Sequence, residues 1–223
     1  MGLKAVNSSS NSSDIPTQEV LEPGAYPARI VRIVDLGVQK RKPYKGKEKA
    51  PAPHILLTYE ILDEFCLDEE GEELKDKPRW VTERFPLFGL GADGATSTKR
   101  YKAIDPKEEF GGDFSKLLGK PLLLTVVNNP GSGDNKGKVY NNVGGVSLMR
   151  KKDEEGAAPL VNDSVLFDLD DPDKEVWDKL EDWLKDLIKG RIKDDDSSGD
   201  EAEEESTKED PTKDPDEGDG DDW

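Results

Sequence analysis

Residues 26–49, YPARIVRIVDLGVQKRKPYKGKEK, join an apolar strand to a basic loop, and the remaining segments are best interpreted around them. In the strand, from Tyr26 to Val38, apolar side chains take the even positions except Arg32, while Val31 and Ile33 fill the middle of the other face. Alternation with a period of two predicts a β-strand. One interruption of the alternation predicts a curved or bulged strand, as at the start of a small barrel.

The basic loop, residues 40–49, surrounds one aromatic residue with cations. Its cations are Lys40, Arg41, Lys42, Lys45, Lys47 and Lys49, and its aromatic residue is Tyr44. Cations bind phosphates and an aromatic ring stacks on an unpaired base, so this combination favours a single-stranded nucleic acid as ligand. The alternative is a solvated lysine-rich loop that contributes only solubility.

The acidity of the chain is concentrated in one segment. The 223 residues carry a net charge of −18, and residues 194–223 hold sixteen Asp or Glu against Lys208 and Lys213, a net of −14. Between Pro23 and Arg150 there are twenty-one Lys or Arg against eighteen Asp or Glu. A slightly basic domain is therefore expected beside an acidic segment, which lacks the apolar residues of a core and is predicted to be disordered.

Composition excludes several classes of protein. With 33% hydrophobic and 37% charged residues, one modest core is expected. A single cysteine, Cys66, and a single histidine, His54, exclude a disulfide framework and a structural zinc site. We expect no cofactor, and no apolar run approaches the roughly 20 residues of a membrane span. A protein of a reducing cytoplasm, without membrane attachment, is the expectation.

Four further strands and two short helices are predicted beyond the basic loop. The strands cover residues 54–62, 79–88, 121–129 and 139–149, and the helices cover residues 97–103 and 114–118, the second capped by Asp113. Alternation places Ile55, Leu57, Tyr59 and Ile61 on one face of the second strand, and Val81, Phe85 and Leu87 on one face of the third. Acidic residues 63–78 predict a solvated connector between two of the strands. The glycines of residues 89–94 match a dinucleotide-binding pattern, but hairpins follow where that fold needs a parallel βαβ unit, which favours a simple turn.

Three other places combine cations with an aromatic residue. The first predicted helix carries Lys99, Arg100, Tyr101 and Lys102, and the last hairpin carries Lys136, Lys138 and Tyr140. On the third strand, Trp80 and Arg84 share the face away from the core, which predicts a stacking platform beside a cation. The alternative for Trp80 is a side chain packed under a connector.

A C-terminal amphipathic helix is predicted from Asp173 to Ile192, with Asp171 as its N-cap and Pro172 as its first residue. Its apolar stripe consists of Val176, Trp177, Leu180, Leu184, Leu187 and Ile188. Such a stripe predicts packing on the barrel or, alternatively, binding of a partner.

Five strands with a helix between the third and fourth follow the order of an OB-fold, whose loops between strands 1–2 and 4–5 flank the ligand groove. Lys40 to Lys49 and Lys136 to Lys138 lie on those loops. We therefore expect a mainly β protein, a five-stranded OB-fold barrel. Its expected segments are a disordered lead (1–20), the barrel (21–152), a linker with the amphipathic helix (153–193) and a disordered acidic tail (194–223).

The chain resembles phage-encoded single-stranded-DNA-binding proteins of podophage replication systems. The resemblance rests on residues 23–39, PGAYPARIVRIVDLGVQ, and on the acidic tail that closes on an aromatic residue. The resemblance covers roughly Pro23 to Trp223. The chain departs from the pattern of these proteins in two respects. It ends on Trp rather than the commoner Phe, and its connectors at 63–78 and 151–170 are longer than a minimal domain needs. It implies a non-enzymatic protein that coats single strands during DNA replication, recombination and repair in the cytoplasm of the bacterial host.

The resemblance also implies protein partners for the acidic tail. The tail would contact the phage DNA polymerase and helicase-primase through Asp221, Asp222 and Trp223. We also expect the acidic tail to compete with DNA for the basic groove. A homodimer is compatible with these expectations.

Stacking on bases is assigned to the aromatic residues Tyr44, Trp80, Tyr101 and Tyr140, and phosphate binding to the cations beside them. Two alternative functions stay open. An acidic chaperone or assembly factor for basic proteins would not need aromatic residues inside cation clusters. A nucleotide-binding or nuclease enzyme would need a metal or phosphate site, for which the sequence offers no carboxylate cluster or glycine loop.

Overall fold

The computed structural model describes residues 19–133 and 136–193. Five antiparallel strands form a curled sheet, a half-barrel, in the order β3-β2-β1-β4-β5, and a short β6 pairs in parallel with β1. The strands are β1 (Gly24–Gln39), β2 (Ala52–Leu67), β3 (Glu73–Pro86), β4 (Pro121–Pro130), β5 (Val139–Ser147) and β6 (Val165–Phe167). The helices are α1 (Thr96–Ile104), a 3₁₀ turn (Phe114–Leu117), α2 (Lys151–Gly156), α3 (Lys174–Lys179) and α4 (Asp182–Lys189). The prediction of a mainly β fold is confirmed.

A bulge in β1 reverses which of its alternate side chains face the main core. The pairing of β1 with β2 skips one residue between Ile30 and Arg32. Before the bulge the even side chains face the main core, whereas after it Ile33 faces that core and Val34 and Leu36 face the opposite side. The predicted interruption is therefore confirmed, but the even positions do not share one face, because an extra residue inverts the alternation.

The inner face of the sheet, the face toward the main core, is built mainly from apolar side chains. Strand β2 contributes Ile55, Leu57, Tyr59 and Ile61, the four residues predicted to share a face. Helix α1 and the 3₁₀ turn pack on this face with Tyr101, Ile104, Phe114 and Leu117. Each large side chain buried in this way stabilises the fold by about 1.5–3 kcal/mol.

A predicted connector is instead part of a hairpin arm. Residues 63–78 extend β2 and β3 past their predicted ends, and the Asp68 carboxylate accepts the backbone N–H of Glu70 to close the turn. The Lys75 ammonium lies 4.4 Å from the centroid of the Phe65 ring. The prediction is wrong because backbone pairing and this cross-strand contact favour an extended ladder despite the acidic composition.

Residues 157–192, here called the C-terminal cap, cover part of the outer face of the sheet. Leu180, Leu184 and Ile188 are buried against Val34 and Leu56. These three residues of the predicted apolar stripe therefore pack on the curled sheet. The cap also contributes β6, which pairs with β1 along the edge that β4 leaves free.

The cap contains two short helices where one helix is predicted. Helix α3 ends at Lys179, and α4 begins at Asp182 because Leu180 takes an extended backbone conformation with ψ 146°. That conformation directs Leu180 into the outer apolar cluster. Asp173, not Asp171, is the N-cap, since its carboxylate accepts the backbone N–H groups of residues 175 and 176.

Candidate nucleic-acid interface

The tip of the basic loop is a tight hairpin turn. Tyr44 and Lys47 exchange two backbone hydrogen bonds of 2.9 Å each. Lys45 (φ 50°) and Gly46 (φ 77°), the two central residues, both have positive φ, the conformation of a type I′ turn. Glycine tolerates positive φ, so Gly46 allows this turn to form. The turn also fixes the positions of the cations on either side of it.

Tyr44 lies between two ammonium groups. The Nζ atoms of Lys45 and Lys49 are each 5.1 Å from the centroid of its ring, and 37% of the residue is exposed. Cations at this distance are attracted to the ring face. The loop therefore presents an exposed aromatic surface inside a concentrated positive field, which suits a base and its flanking phosphates.

The basic loop is attached to the end of β3. The Arg41 guanidinium of the loop lies 5.1 Å from the centroid of the Phe88 ring, and the Leu87 N–H donates to the Pro53 carbonyl of β2 at 2.7 Å. The first contact joins the loop, and the second the start of β2, to the residues that follow β3. The surface of β3 and the basic loop are consequently continuous.

Trp80 lies exposed on the outer face of β3, held in one orientation. Its Nε1–H donates to Glu60 Oε2 at 3.1 Å, and the Arg32 guanidinium carbon is 5.7 Å from the ring centroid. The residue remains 42% exposed. An indole ring that is already oriented loses little conformational entropy when a base stacks on it.

Arg84 shares this outer face with Trp80. Alternate residues of a strand point to the same side, so Trp80, Thr82 and Arg84 are spaced about 7 Å apart along the row. Val81 and Phe85, on the opposite side of the strand, are buried, as predicted. The row runs from the indole platform toward the basic loop.

Glu60 is a buried carboxylate on the outer face that orients Trp80. It also accepts the Val161 N–H at 2.6 Å and the Asn162 side-chain amide at 2.7 Å, both from the C-terminal cap. The residue is 0% exposed. Several donors compensate its burial, and they fix the indole edge and the cap relative to each other.

Tyr101 in α1 is a core residue, so its predicted role in base stacking is wrong. It is 0% exposed, and its ring meets Phe114 edge-on at 5.3 Å between centroids. Ser97, Tyr101 and Ile104 are all buried along one side of α1. Their spacing of four and three is the sequence signal that could have identified this buried face.

Arg100 is bound to a carboxylate inside the fold, so its predicted contact with DNA is also wrong. Its Nε donates to Glu83 Oε1 at 2.9 Å and its Nη2 to the Val143 carbonyl at 3.2 Å, and Tyr59 Oη donates to the same Glu83 oxygen at 2.6 Å. Burial lowers the pKa of Arg100, but Glu83 raises it above its ordinary value, so the guanidinium stays charged. Arg100 of α1 thus bridges Glu83 of β3 and Val143 of β5, two strands that share no ladder.

The remaining cations of α1 differ in their partners. The Lys102 Nζ lies 2.8 Å from Asp93 and 3.6 Å from Glu108, whereas Lys99 is exposed. An ammonium between two carboxylates contributes little net positive charge to the surface. Of the four predicted residues in α1, only Lys99 retains the geometry of a phosphate-binding group.

The hairpin between β4 and β5 lies at the other end of β1 from the basic loop. Gly24, the first residue of β1, pairs with Val126 of β4, whereas the last residue of β1 leads into residues 40–49. Lys136 and Lys138 are exposed and Tyr140 is half-buried. The structure thus brings Trp80, Arg84 and the basic loop onto one continuous surface, and places this hairpin apart from the basic loop.

Arg32 is a candidate binding residue that sequence reasoning missed. It interrupts the apolar series of β1, and this interruption is the signal that could have marked it. Its Nη1 lies 2.8 Å from both carboxylate oxygens of Glu181, and its Nε donates to Thr58 Oγ1 at 3.1 Å. The guanidinium therefore lies between the Trp80 platform and the cap.

The acidic segment, residues 194–223, lies outside the described residues, and so do the predicted partner-binding residues Asp221, Asp222 and Trp223. Its point of attachment is defined, because the Ile192 N–H donates to the Val38 carbonyl at 2.8 Å and Gln39 Nε2 donates to the Leu187 carbonyl at 3.1 Å. The last described residues before the acidic segment therefore lie against the end of β1, from which the basic loop continues.

Within residues 19–133 and 136–193, no cluster of three or more His, Cys, Asp or Glu side chains is placed to hold a metal ion. In that part of the chain, no helix is both long and apolar enough to span a membrane. Comparison with models of known protein families yields no match, and no curated protein matches the chain.

Proposed function

We propose that the protein binds single-stranded DNA without sequence specificity, on the surface formed by the outer face of β3 and the basic loop. The observation that carries this proposal is the pair of exposed aromatic rings fixed beside cations: Trp80 beside Arg32, and Tyr44 between Lys45 and Lys49. Rings stack on unpaired bases and the cations neutralise the adjoining phosphates. Stacking does not distinguish base edges, so weak sequence preference is expected.

The strand order supports an OB-fold as the finer description of the half-barrel. Helix α1 lies between β3 and β4 in the chain, and β3 and β5 approach each other without pairing. In an OB-fold the exposed face of the second and third strands binds oligonucleotides. Here the C-terminal cap covers β2, which directs the proposed binding surface toward β3.

The wider role we propose is that of a non-enzymatic, phage-encoded protein that coats single strands in replication, recombination and repair within the bacterial host cytoplasm. The acidic segment would compete with DNA for the basic loop and recruit the polymerase and helicase-primase. Its attachment beside Val38 supports competition, because sixteen acids tethered there are present near the basic loop at about millimolar effective concentration.

A gel-retardation assay of binding to labelled oligo(dT) at low salt tests the proposal. We expect a retarded complex with the single strand and a much weaker one with the matching duplex. Absence of retardation, combined with binding of polylysine, would instead support the acidic chaperone.

Deletion of residues 194–223 tests the role of the acidic segment. The deletion should tighten binding of oligo(dT), more at low salt than at high salt, because salt screens the competing charges. Unchanged affinity at low salt would remove the competition from the proposal.

A further inference from the structure

The general proposal uses Arg32 and Trp80 only as a cation beside an exposed ring, whereas their further contacts define a more specific site. We propose that they are one nucleotide subsite, in which the Trp80 indole stacks on a base and the Arg32 guanidinium binds the adjoining phosphate. Glu181 of the C-terminal cap occupies the phosphate position until a strand displaces it. This inference rests on the proposed function and adds a specific subsite with its own internal competitor.

The contacts of Arg32 define the phosphate position. Its Nη1 lies 2.8 Å from both oxygens of the Glu181 carboxylate, while Thr58 Oγ1 accepts from Nε at 3.1 Å and fixes the plane of the guanidinium. Guanidinium groups bind carboxylates and phosphates through the same N–H donors. The site occupied by Glu181 is therefore chemically suited to a nucleotide phosphate.

The position of Trp80 makes the site a nucleotide site rather than a simple anion site. Arg32 Cζ is 5.7 Å from the centroid of the Trp80 ring, so the phosphates next to a base stacked on the indole pass close to the guanidinium. Glu60 holds the indole edge, and 42% of Trp80 remains exposed for a stacked base. A base and a phosphate of the same strand can thus bind without rearrangement of the platform.

Glu181 can leave Arg32 at small structural cost. It lies in the break between α3 and α4, and its side chain is 44% exposed, against 10% for that of Arg32. The cap is anchored by the neighbouring buried residues Leu180, Leu184 and Ile188. Rotation of the Glu181 side chain into solvent leaves that anchor intact.

The test compares Glu181→Gln with Asp182→Asn in the full chain, with labelled oligo(dT) as the probe and fluorescence anisotropy at low salt as the readout. Both variants remove one negative charge from adjacent positions, but Asp182 is fully exposed and lies near Lys185 rather than Arg32. Glu181→Gln should tighten binding about threefold to tenfold, since the strand no longer displaces a charged competitor. Asp182→Asn should change it by less than about twofold.

A double variant shows whether the gain acts through Arg32. In an Arg32→Gln background, which removes the cation that Glu181 neutralises, Glu181→Gln should give little or no further tightening. Persistence of the full gain in that background, or an equal gain in Asp182→Asn, would overturn the subsite while leaving single-strand binding in place. If no protein in the series, the unmodified chain included, binds oligo(dT), the proposed function fails and the subsite fails with it.

If the Glu181→Gln protein shows no cooperative thermal transition, it is not folded, and Glu181→Asp is then tested in its place. This change keeps the charge and withdraws the carboxylate from Arg32 by one methylene. Tightening is again the expected result, and here it cannot come from a change in net charge. Unchanged or weaker affinity in a folded Glu181→Asp protein would overturn the proposal.

Discussion

The basic loop and helix α1 carry the same combination of lysine, arginine and tyrosine, but the fold places them in opposite environments. In the loop, Tyr44 is exposed between two ammonium groups. In the helix, Tyr101 is fully buried and Arg100 is paired with Glu83. Cations beside an aromatic residue therefore do not identify a binding site until the secondary structure assigns a direction to each side chain.

The largest expected difference is in stability. Tyr101→Ala should lower the free energy of unfolding by about 3–5 kcal/mol, because it leaves a cavity between α1 and the sheet. In a chain of this size that corresponds to a fall in Tm of about 10 °C. Thermal unfolding followed by circular dichroism measures the change.

Tyr44→Ala is the matched control, since the same atoms are removed from an exposed position. It should alter the free energy of unfolding by less than about 0.5 kcal/mol. Similar losses of stability in the two variants would abolish the distinction between loop and helix.

The second prediction concerns Arg100 of α1, which pairs with Glu83 of β3 and donates to Val143 of β5. Arg100→Ala should lower the free energy of unfolding by about 3 kcal/mol, because Glu83 would keep a charge in a largely buried position without its partner. Urea unfolding measures this, with Lys99→Ala on the exposed side of the same helix as control. A loss no greater than that of the control would mean that the pair does not hold the two strands together.

The third prediction concerns the charges of the basic loop. Simultaneous substitution of Lys40, Arg41, Lys42 and Lys45 by Gln should weaken oligo(dT) binding about a hundredfold at low salt, through the loss of phosphate contacts. Stability should change little, since these residues are exposed or half-exposed.

Fluorescence anisotropy measures the affinity, and a second variant controls for net charge. Substitution of Lys107, Lys116, Lys151 and Lys152 by Gln removes the same charge from exposed positions outside the loop. Equal weakening in both proteins would assign the effect to overall charge and not to the loop.

The smallest expected effect is that of a single ring. Tyr44→Ala should weaken oligo(dT) binding about fivefold to tenfold, the lower part of the range for one stacked base. The slope of log Kd against log salt should stay unchanged, because no cation is lost. Tyr44→Phe should retain full affinity; failure of this rescue would point to the hydroxyl group and away from stacking.

The strands and their inner face were predictable because alternation with a period of two is a local signal. Ile55, Leu57, Tyr59 and Ile61 show this most clearly, since their predicted shared face is the one in the core. The hairpin arm at residues 63–78 was not predictable from composition, because its acidic side chains obscure the pairing of its backbone. The break at Leu180 likewise follows from tertiary packing, which overrides an uninterrupted helical pattern.

The candidate site was predictable only in part. The basic loop and Trp80 stand out in the sequence as cations and aromatic residues, and the structure leaves both exposed. The contact between Arg32 and Glu181 joins residues 149 positions apart, so no local pattern could indicate it. Sequence thus identifies candidate chemical groups, while the bulge in β1 and the C-terminal cap determine which of them meet.

The most direct test of single-strand binding by stacking and phosphate neutralisation is a salt titration of Kd with a hairpin-free single strand and its duplex. We expect tighter binding of the single strand at every salt concentration, and a log–log slope of about 0.7 for each phosphate neutralised on it. Equal affinity for the two forms, or an affinity that does not respond to salt, would contradict the account.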